Sequence, residues 1–154
     1  MDFKVKIDVP SGITATPIKL EDGLVVATKE STMLVTNEAI NGAPMKYGTL
    51  KRSIRSEVVA GMGRFTGSII QDTTIAKYGA WVERGTGIYG PYKTPIVPVH
   101  AKMLAWKVPG GSWYRAKSVK GMMARPYMKP ALLDNREKIK AIFQARIKQA
   151  LGGE

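Results

Sequence analysis

The sequence contains no cysteine and only one histidine, His100, among its 154 residues. Disulfides and thiolate metal sites are therefore excluded, and one chain cannot supply a multi-histidine metal site. No run of 18 apolar residues occurs, and the N-terminal residues lack the apolar core of a signal peptide. We therefore expect a protein made in the cytoplasm, with no membrane partner, and no segment predicts a cofactor.

Negative charge is scarce in most of the chain. Residues 1–45 hold four lysines against six carboxylates, whereas residues 46–154 hold twenty Lys or Arg against six carboxylates. No carboxylate occurs between Glu83 and Asp134, a stretch that contains nine basic residues. Such a positive field suits a polyanion or an acidic protein surface, although a solvated face that only maintains solubility has the same composition.

The length and the 44% hydrophobic content predict one folded domain spanning residues 1–154. Alternating apolar residues predict a strand at residues 3–9, within an N-terminal strand or arm of residues 1–15. Further alternation predicts one hairpin from residues 54–60 and 64–70, and a second around the turn at Pro109-Gly110.

The helical signals lie at both ends and in the middle of the chain. Thr16-Pro17 can start a long helix that ends near Gly42, with an apolar stripe that several threonines and Gly23 weaken. Asp72 can cap a short helix that ends before Gly85. Pro130 can start a C-terminal amphipathic helix, with a buried stripe that we predict to comprise Ile139, Ile142, Phe143, Ile147, Ala150 and Leu151.

Together these elements predict an α+β fold. We expect an antiparallel β-sheet of about five strands with a long N-terminal helix, a short middle helix and a C-terminal amphipathic helix. Residues 85–98 are rich in Gly and Pro and predict a long surface loop.

Residues 85–90 match the G-x-G-x-x-G pattern of dinucleotide-binding proteins. That fingerprint requires a strand before it, a helix after it and an acidic residue about twenty positions further on. Here a short predicted helix precedes the pattern, Pro91 and Pro95 follow it, and the acidic residue is missing. We therefore interpret these glycines as a turn-forming loop.

His100 and Glu83 are the residues most suggestive of catalysis. His100 could be a general base, but no nucleophile or orienting carboxylate is identifiable near it, so we favour a strand-edge or interface histidine. Glu83 could be catalytic, but an ion pair or a helix-end contact suits a lone carboxylate beside Arg84 better, since glycosidase-type chemistry needs two carboxylates. We expect no enzymatic activity and no catalytic residues.

Aromatic side chains cluster where the chain is richest in turns and basic residues. Trp106, Trp113 and Tyr114 in the second hairpin suit nucleic-acid binding, although Trp106 and Tyr114 could equally be core residues of alternating strands. Rigid aromatics around loops also anchor protein contacts, and Trp81 is a better candidate for that role than Tyr78, which we expect to pack within the domain.

Four segments resemble, in order, the neck and tail-completion proteins of long-tailed bacteriophages. Residues 43–54 (APMKYGTLKRSI) resemble the family pattern P-x-x-T-G-x-L-R-x-S-I, and residues 78–87 (YGAWVERGTG) resemble Y-A-x-Y-V-E-x-G-T. Residues 96–106 (IVPVHAKMLAW) resemble I-x-P-x-x-A-K-x-L-x-F, and residues 124–132 (ARPYMKPAL) resemble A-R-P-F-x-x-P-A ahead of a final amphipathic helix. Tyr47-Gly48 departs from the family's Thr-Gly pair, and Trp81 replaces a smaller aromatic.

The resemblance implies a non-enzymatic virion protein at the head–tail interface. Such a protein forms a ring, expected to be sixfold, between the head-closure or connector protein and the tail terminator or tail tube protein, and double-stranded DNA passes through its lumen. We expect partner contacts from Trp81, Glu83, Arg84, Gly85, Thr86, Gly87, Tyr89, Tyr92, Arg125, Pro126, Tyr127 and Pro130. We expect the DNA channel to be lined from among Lys93, Lys102, Lys107, Arg115, Lys117 and Lys120. The alternative function is a small basic nucleic-acid-binding domain.

Overall fold

The computed structural model describes residues 3–8, 18–61 and 63–151. The chain forms two compact units, one from residues 1–77 together with 126–154 and the other from residues 78–125. Its fold class is α+β, as expected from the sequence. Within the described ranges, no helix has both the length and the apolar character needed to cross a membrane.

The first unit contains an antiparallel sheet in the order β1-β3-β2, from strands β1 (Phe3–Asp8), β2 (Ile54–Gly61) and β3 (Arg64–Gln71). The hairpin of β2 and β3 confirms the first predicted hairpin, with Ile54 opposite Gln71 and Gly61 opposite Arg64. β3 is the central strand and its last five residues are all buried. Most of β2, in contrast, is exposed.

The long N-terminal helix α1 (Ile18–Gly42) confirms the predicted helix and its end at Gly42. The proposed start signal, Thr16-Pro17, lies outside the described residues. α1 packs against β2 and β3 and also against the two C-terminal helices, so it is the centre of this unit. At Gly23 a Cβ atom would lie 2.9 Å from Ala150 Cβ, which shows how closely the last helix approaches α1. Gly23 therefore serves packing, although it lowers intrinsic helix propensity.

The buried face of α1 contains several threonines, although threonine has a low helix propensity. Thr28, Thr32 and Thr36 are buried at four-residue spacing. Each hydroxyl donates to the carbonyl oxygen four residues earlier, at 2.6–2.7 Å. A Cβ atom at Gly67 of β3 would overlap Thr32 Oγ1, so the missing side chain of Gly67 lets helix and sheet approach. Because the hydroxyls are bonded within the helix, these small side chains can be buried without loss of a hydrogen bond.

The C-terminal helix is broken, which corrects the prediction of one continuous helix from Pro130. Two short helices, α2 (Thr49–Arg52) and α3 (Gly79–Arg84), come earlier in the chain. At the C-terminus, helix α4 spans Met128–Leu133 and helix α5 spans Arg136–Ala150. Asn135 lies buried at the break and its Nδ2 donates to the Ala131 carbonyl at 2.9 Å. The side-chain amide competes with the backbone for that carbonyl, which explains why the helix is interrupted there.

The apolar stripe of α5 is only half-buried, which corrects the prediction of a buried stripe. No residue of α5 is fully buried, and Leu151 after its end is 66% exposed. Arg146 additionally connects α5 to α1 through a two-point ion pair with Glu30, in which Nε donates to Oε2 at 2.9 Å and Nη2 donates to Oε1. The hydrogen bonds from Arg146 lower the pKa of Glu30 below its ordinary value.

Asp72 does not cap the short middle helix, because that helix begins seven residues later at Gly79. Instead, Asp72 Oδ1 accepts hydrogen bonds from the hydroxyl and the amide of Thr74, at 2.6 and 2.9 Å, and these bonds lower the pKa of Asp72. Beside this turn, buried Gln71 donates from Nε2 to Ser53 Oγ and to the Ala76 carbonyl. The end of β3 is thus fixed to the start of β2 and to the following turn.

The second unit contains α3, a 3₁₀ helix at Gly87–Tyr89, and a hairpin of β4 (Leu104–Lys107) and β5 (Trp113–Ala116). This hairpin confirms the second predicted hairpin, and an isolated bridge joins Ile96 to Val119. β4 and β5 form a separate two-stranded sheet. The expected single sheet of about five strands is therefore wrong, since the strands are divided between two sheets.

Candidate functional site

Two segments of the second unit, residues 85–90 and 120–124, are joined through their backbones. Thr86 N donates to the Met122 carbonyl at 2.9 Å, and Ile88 N donates to the Lys120 carbonyl at 2.8 Å. Thr86 Oγ1 accepts from Met122 N at 2.9 Å. We call this pairing the backbone clasp. It connects parts of the chain that are about 35 residues apart in the sequence.

Glycines make the clasp possible. Gly87 has φ +63°, and a Cβ atom there would overlap the Lys120 carbonyl oxygen. Gly121 has φ +93°, and a Cβ there would overlap the Thr86 carbonyl oxygen. Gly87, which belongs to the G-x-G-x-x-G pattern, and Gly121 therefore allow two segments of the main chain to cross closely. Gly121 was missed by the sequence argument, because nothing in the sequence pairs it with Gly87.

The short helix α3 presents one large aromatic to solvent. Trp81 is 58% exposed, and Arg84 is also exposed. Val82 and Glu83, in contrast, are buried. The helix ends at Gly85, which has φ +75° and whose amide donates to the Trp81 carbonyl at 2.8 Å. Of the predicted contact residues on and just after α3, Trp81 and Arg84 are thus at the surface, whereas Glu83 and Gly85 are buried.

The loop after α3 carries two further exposed aromatics. Tyr89 closes the 3₁₀ helix and is 43% exposed, and Tyr92 is 88% exposed. Lys93 follows in the left-handed region, with φ +50°. Thr86 and Gly87 are partly exposed but take part in the clasp. Tyr92 is therefore the most accessible of the predicted contact residues in this loop, and Lys93, predicted for the DNA channel, is exposed beside it.

The predicted contact segment of residues 125–130 contains both surface and core side chains. Arg125 is exposed, and its amide donates to the Val82 carbonyl at 2.8 Å. Pro126 is exposed and Pro130 is half-buried in α4. Tyr127 is 2% exposed, and a Cβ atom at Gly42 would lie 3.7 Å from Tyr127 Cβ. Tyr127 is therefore a core residue beside the end of α1, and its ring is not available to a partner.

The surface of the second unit carries cationic side chains and no anionic ones. Glu83 is the only carboxylate between residues 78 and 125, and it is buried. All eight basic residues of the unit are exposed: Arg84, Lys93, Lys102, Lys107, Arg115, Lys117, Lys120 and Arg125. The structure thus brings the six predicted DNA-channel residues together in one unit with Arg84 and Arg125.

The β4–β5 hairpin presents two chemically different faces. Lys107 is opposite Trp113, and Ala105 is opposite Arg115. Since cross-strand partners and residues two apart share a face, Lys107, Trp113 and Arg115 lie together on what we call the cationic face. The other side, which we call the aromatic face, comprises Leu104, Trp106, Tyr114 and Ala116.

On the aromatic face, the rings of Trp106 and Tyr114 are stacked, with their centroids 6.0 Å apart and their planes inclined by 19°. Trp106 remains 40% exposed and Tyr114 52% exposed. They are therefore not the fully buried core residues that one interpretation of the sequence allowed. The two faces separate because side chains alternate between opposite sides along each strand, and this alternation can be read from the sequence on both sides of the turn.

The motif at residues 43–54 serves the fold of the first unit. Leu50 of α2 and Ser53 are buried. Ser53 Oγ donates to the Leu50 carbonyl at 2.6 Å and accepts from Gln71 Nε2 at 3.2 Å. Its exposed residues include Tyr47 and Lys46, which lie in a cation–π contact at 5.3 Å. Leu50 and Ser53 of this motif therefore help to fix the entry to β2.

His100 is exposed. Over residues 3–8, 18–61 and 63–151, no three His, Asp or Glu side chains come together in a way that could hold a metal ion.

Comparison with known proteins gave no match: no family model, no curated protein and no solved structure matches this chain.

Proposed function

We propose that this chain is a structural protein of the neck of a long-tailed bacteriophage. Copies of the chain form a ring, sixfold as in the proteins it resembles, that joins the head connector to the tail and surrounds the DNA channel. Its partners are the head-closure or connector protein on one side and the tail terminator or tail tube protein on the other. In this role it acts in the virion, after synthesis in the host cytoplasm, and catalyses no reaction.

The observation that carries the proposal is the hydrogen bonding between two of the resembling motifs. The motif at residues 78–87 includes Val82 and Thr86, and the motif at 124–132 includes Arg125. The Arg125 amide donates to the Val82 carbonyl, and the Thr86 amide donates to Met122, two residues before the second motif. If the two motif matches were due to chance, the two segments would not be expected to lie next to each other in the structure. Their pairing supports treating the motifs as parts of one inherited unit.

The exposed aromatics supply the chemistry that ring formation needs. A closed ring is built from heterologous interfaces, in which one face of each subunit complements a different face of the next. Exposed Trp and Tyr residues typically dominate the binding energy of such interfaces. Trp81, Tyr89 and Tyr92 offer this chemistry on the second unit, with Arg84 beside them in the sequence.

The cationic surface supports the DNA channel. DNA carries one phosphate charge for about every 1.7 Å of its axis, and exposed carboxylates would repel it. The second unit exposes eight basic side chains and no carboxylate. A protein that surrounds moving DNA needs contacts that do not depend on base sequence, and Lys or Arg contacts to phosphates meet that requirement.

The experiment that tests the proposal compares Trp81→Ala and Arg125→Ala with Tyr47→Ala. Tyr47 is the control because it is also an exposed aromatic, 74% exposed against 58% for Trp81, and lies on the first unit. We expect the Trp81 and Arg125 variants to fold but to leave heads and tails unjoined, because a contact side chain is lost. The Tyr47 variant should support joining. Electron microscopy of lysates from a phage lacking the wild-type chain, complemented with each variant, measures the joined fraction.

Normal joining by both the Trp81 and the Arg125 variants would contradict the proposed contacts. If even the wild-type chain is absent from purified necks, the proposed function itself is wrong. Counting subunits in isolated necks by electron microscopy would also determine the ring number.

A second candidate function, a small basic nucleic-acid-binding domain, is favoured by the carboxylate-free surface of the second unit. A free DNA-binding domain should bind duplex DNA at physiological salt as a monomer, and its affinity should fall steeply as salt rises. A neck protein should instead form rings or purify with connector proteins. Because both functions allow salt-dependent DNA binding, size-exclusion chromatography with light scattering distinguishes the two: a ring, or a complex with connector proteins, favours the neck, and a monomer that binds duplex DNA favours the second candidate.

A further inference from the structure

The β4–β5 hairpin concentrates charge on one face only. On the cationic face, Lys107 and Arg115 are diagonal cross-strand neighbours, so the two residues are about 7–8 Å apart. Trp113, 66% exposed, is a neighbour of both, as the direct partner of Lys107 and two residues from Arg115. The aromatic face carries no charged side chain among Leu104, Trp106, Tyr114 and Ala116.

We propose that the cationic face of this hairpin binds the phosphate backbone of double-stranded DNA and that the aromatic face does not contact it. The inference rests on the proposed function, which places DNA in the channel, and it deepens that function by assigning the contact to one side of one hairpin. Of the six basic residues considered for the channel, it selects Lys107 and Arg115.

Charge complementarity favours a polyanion on this face. Glu83, the sole carboxylate of the unit, is buried, so no exposed carboxylate of residues 78–125 opposes a phosphate. Two cations at the spacing of Lys107 and Arg115 can reach separate phosphates along one strand of the duplex. A two-stranded ribbon also has the dimensions that the major groove of DNA admits.

The composition of the cations distinguishes DNA from an acidic protein partner. Five of the eight exposed basic residues of the unit are lysines. Protein interfaces are depleted in lysine and enriched in arginine, whereas phosphate contacts use both. The observations therefore favour DNA over an acidic protein surface, and binding to the connector protein becomes an outcome of the test.

The test measures fluorescence anisotropy of a labelled duplex of mixed sequence with the purified full-length chain at several salt concentrations. The Lys107→Gln/Arg115→Gln double variant should lower the slope of log affinity against log salt by about 1.8, since each phosphate contact contributes about 0.9. At salt near physiological strength we expect an affinity loss of about tenfold. Circular dichroism establishes that each variant is folded.

A matched control removes two charges elsewhere. Lys138→Gln/Lys140→Gln changes two exposed lysines of α5 and the same net charge. This control and Trp106→Ala/Tyr114→Ala should both keep the wild-type slope, because neither alters the cationic face. Equal losses for the two charge variants would overturn the proposal, since net charge alone would then account for binding.

Three other outcomes would also overturn it. The aromatic-face variant could lose more DNA affinity than the cationic-face variant, or the wild type could fail to bind duplex DNA at low salt. The cationic-face variant could also keep its DNA affinity and lose binding to a purified connector ring. These results leave the proposed neck function to be decided separately, by head–tail joining with Trp81→Ala. Failure of the face assignment and failure of the function are therefore distinguishable.

Discussion

Replacing Gly87 with alanine tests whether the backbone clasp holds the second unit together. At φ +63°, alanine is strained by about 1–2 kcal/mol relative to glycine. The new Cβ would also overlap the Lys120 carbonyl oxygen and lie 2.9 Å from Gly121 Cα. Both neighbours are main-chain atoms, so the segment must shift, and overpacking of this kind costs about a further 1–3 kcal/mol. We expect a total loss of about 2–5 kcal/mol in the stability of residues 78–125.

Gly110→Ala is the matched control for this prediction. Gly110 has φ +74° in the turn between β4 and β5, and a Cβ there would meet nothing within 4 Å. Its substitution carries the backbone strain of about 1–2 kcal/mol without the overlap. The difference between the two variants therefore isolates the close crossing.

Hydrogen exchange measured by mass spectrometry is the assay that suits a unit able to open locally. Gly87→Ala should lose protection at the amides of Thr86, Ile88 and Arg125, which are the donors across and beside the clasp. Gly110→Ala should keep it. Equal protection in the two variants would refute the reasoning, because the crossing would then contribute nothing beyond the turn conformation.

Two further predictions concern the first unit. Gly67→Ala should destabilise the fold by about 1–3 kcal/mol because its Cβ overlaps Thr32 Oγ1. In a double-mutant cycle measured by urea unfolding, the loss for Gly67→Ala/Thr32→Ala should be smaller than the sum of the two single losses by at least about 1 kcal/mol. Strictly additive losses would contradict the contact. Glu30→Gln should lower stability near neutral pH by less than about 1 kcal/mol, because the pair with Arg146 is more than one-third exposed. Since the folded-state pKa of Glu30 is lowered, its contribution is present above the ordinary glutamate value of about 4.3 and is lost as pH falls through the folded-state value. Wild type and variant should therefore converge in acid, and a constant difference across pH would exclude the ion pair as the cause.

Local patterns predicted the elements whose partners are close in the sequence. The alternation on both sides of residues 61–63 was sufficient for the hairpin of β2 and β3, and Gly42 marked the end of α1. The buried face of α1 was harder to predict, because its threonines are polar and their hydroxyls become acceptable inside only through bonds to the preceding turn. The break at Asn135 depends likewise on one side-chain hydrogen bond that periodicity does not reveal.

The candidate site was predicted less completely, for two physical reasons. The clustering of positive charge could be predicted from composition. Whether the Glu83 carboxylate offsets that charge at the surface depends on the burial of Glu83, which composition does not reveal. The role of Gly87 depends on Gly121 and Lys120, which are more than thirty residues away, so no local pattern contains it. Tyr127 illustrates the converse error, since an aromatic between Pro126 and Pro130 suggests a docking surface, yet its ring lies in the core.

The hydrogen bond between the Arg125 amide and the Val82 carbonyl has an evolutionary consequence. It shows that the chain enters and leaves the second unit at neighbouring positions, while residues on both sides of that segment build the first unit. Segments with adjacent ends can be exchanged, lengthened or replaced without redesign of the host fold, because the chain resumes where it left off. Insertions or exchanges within residues 78–125 can therefore leave the order of the helices and strands of the first unit unchanged.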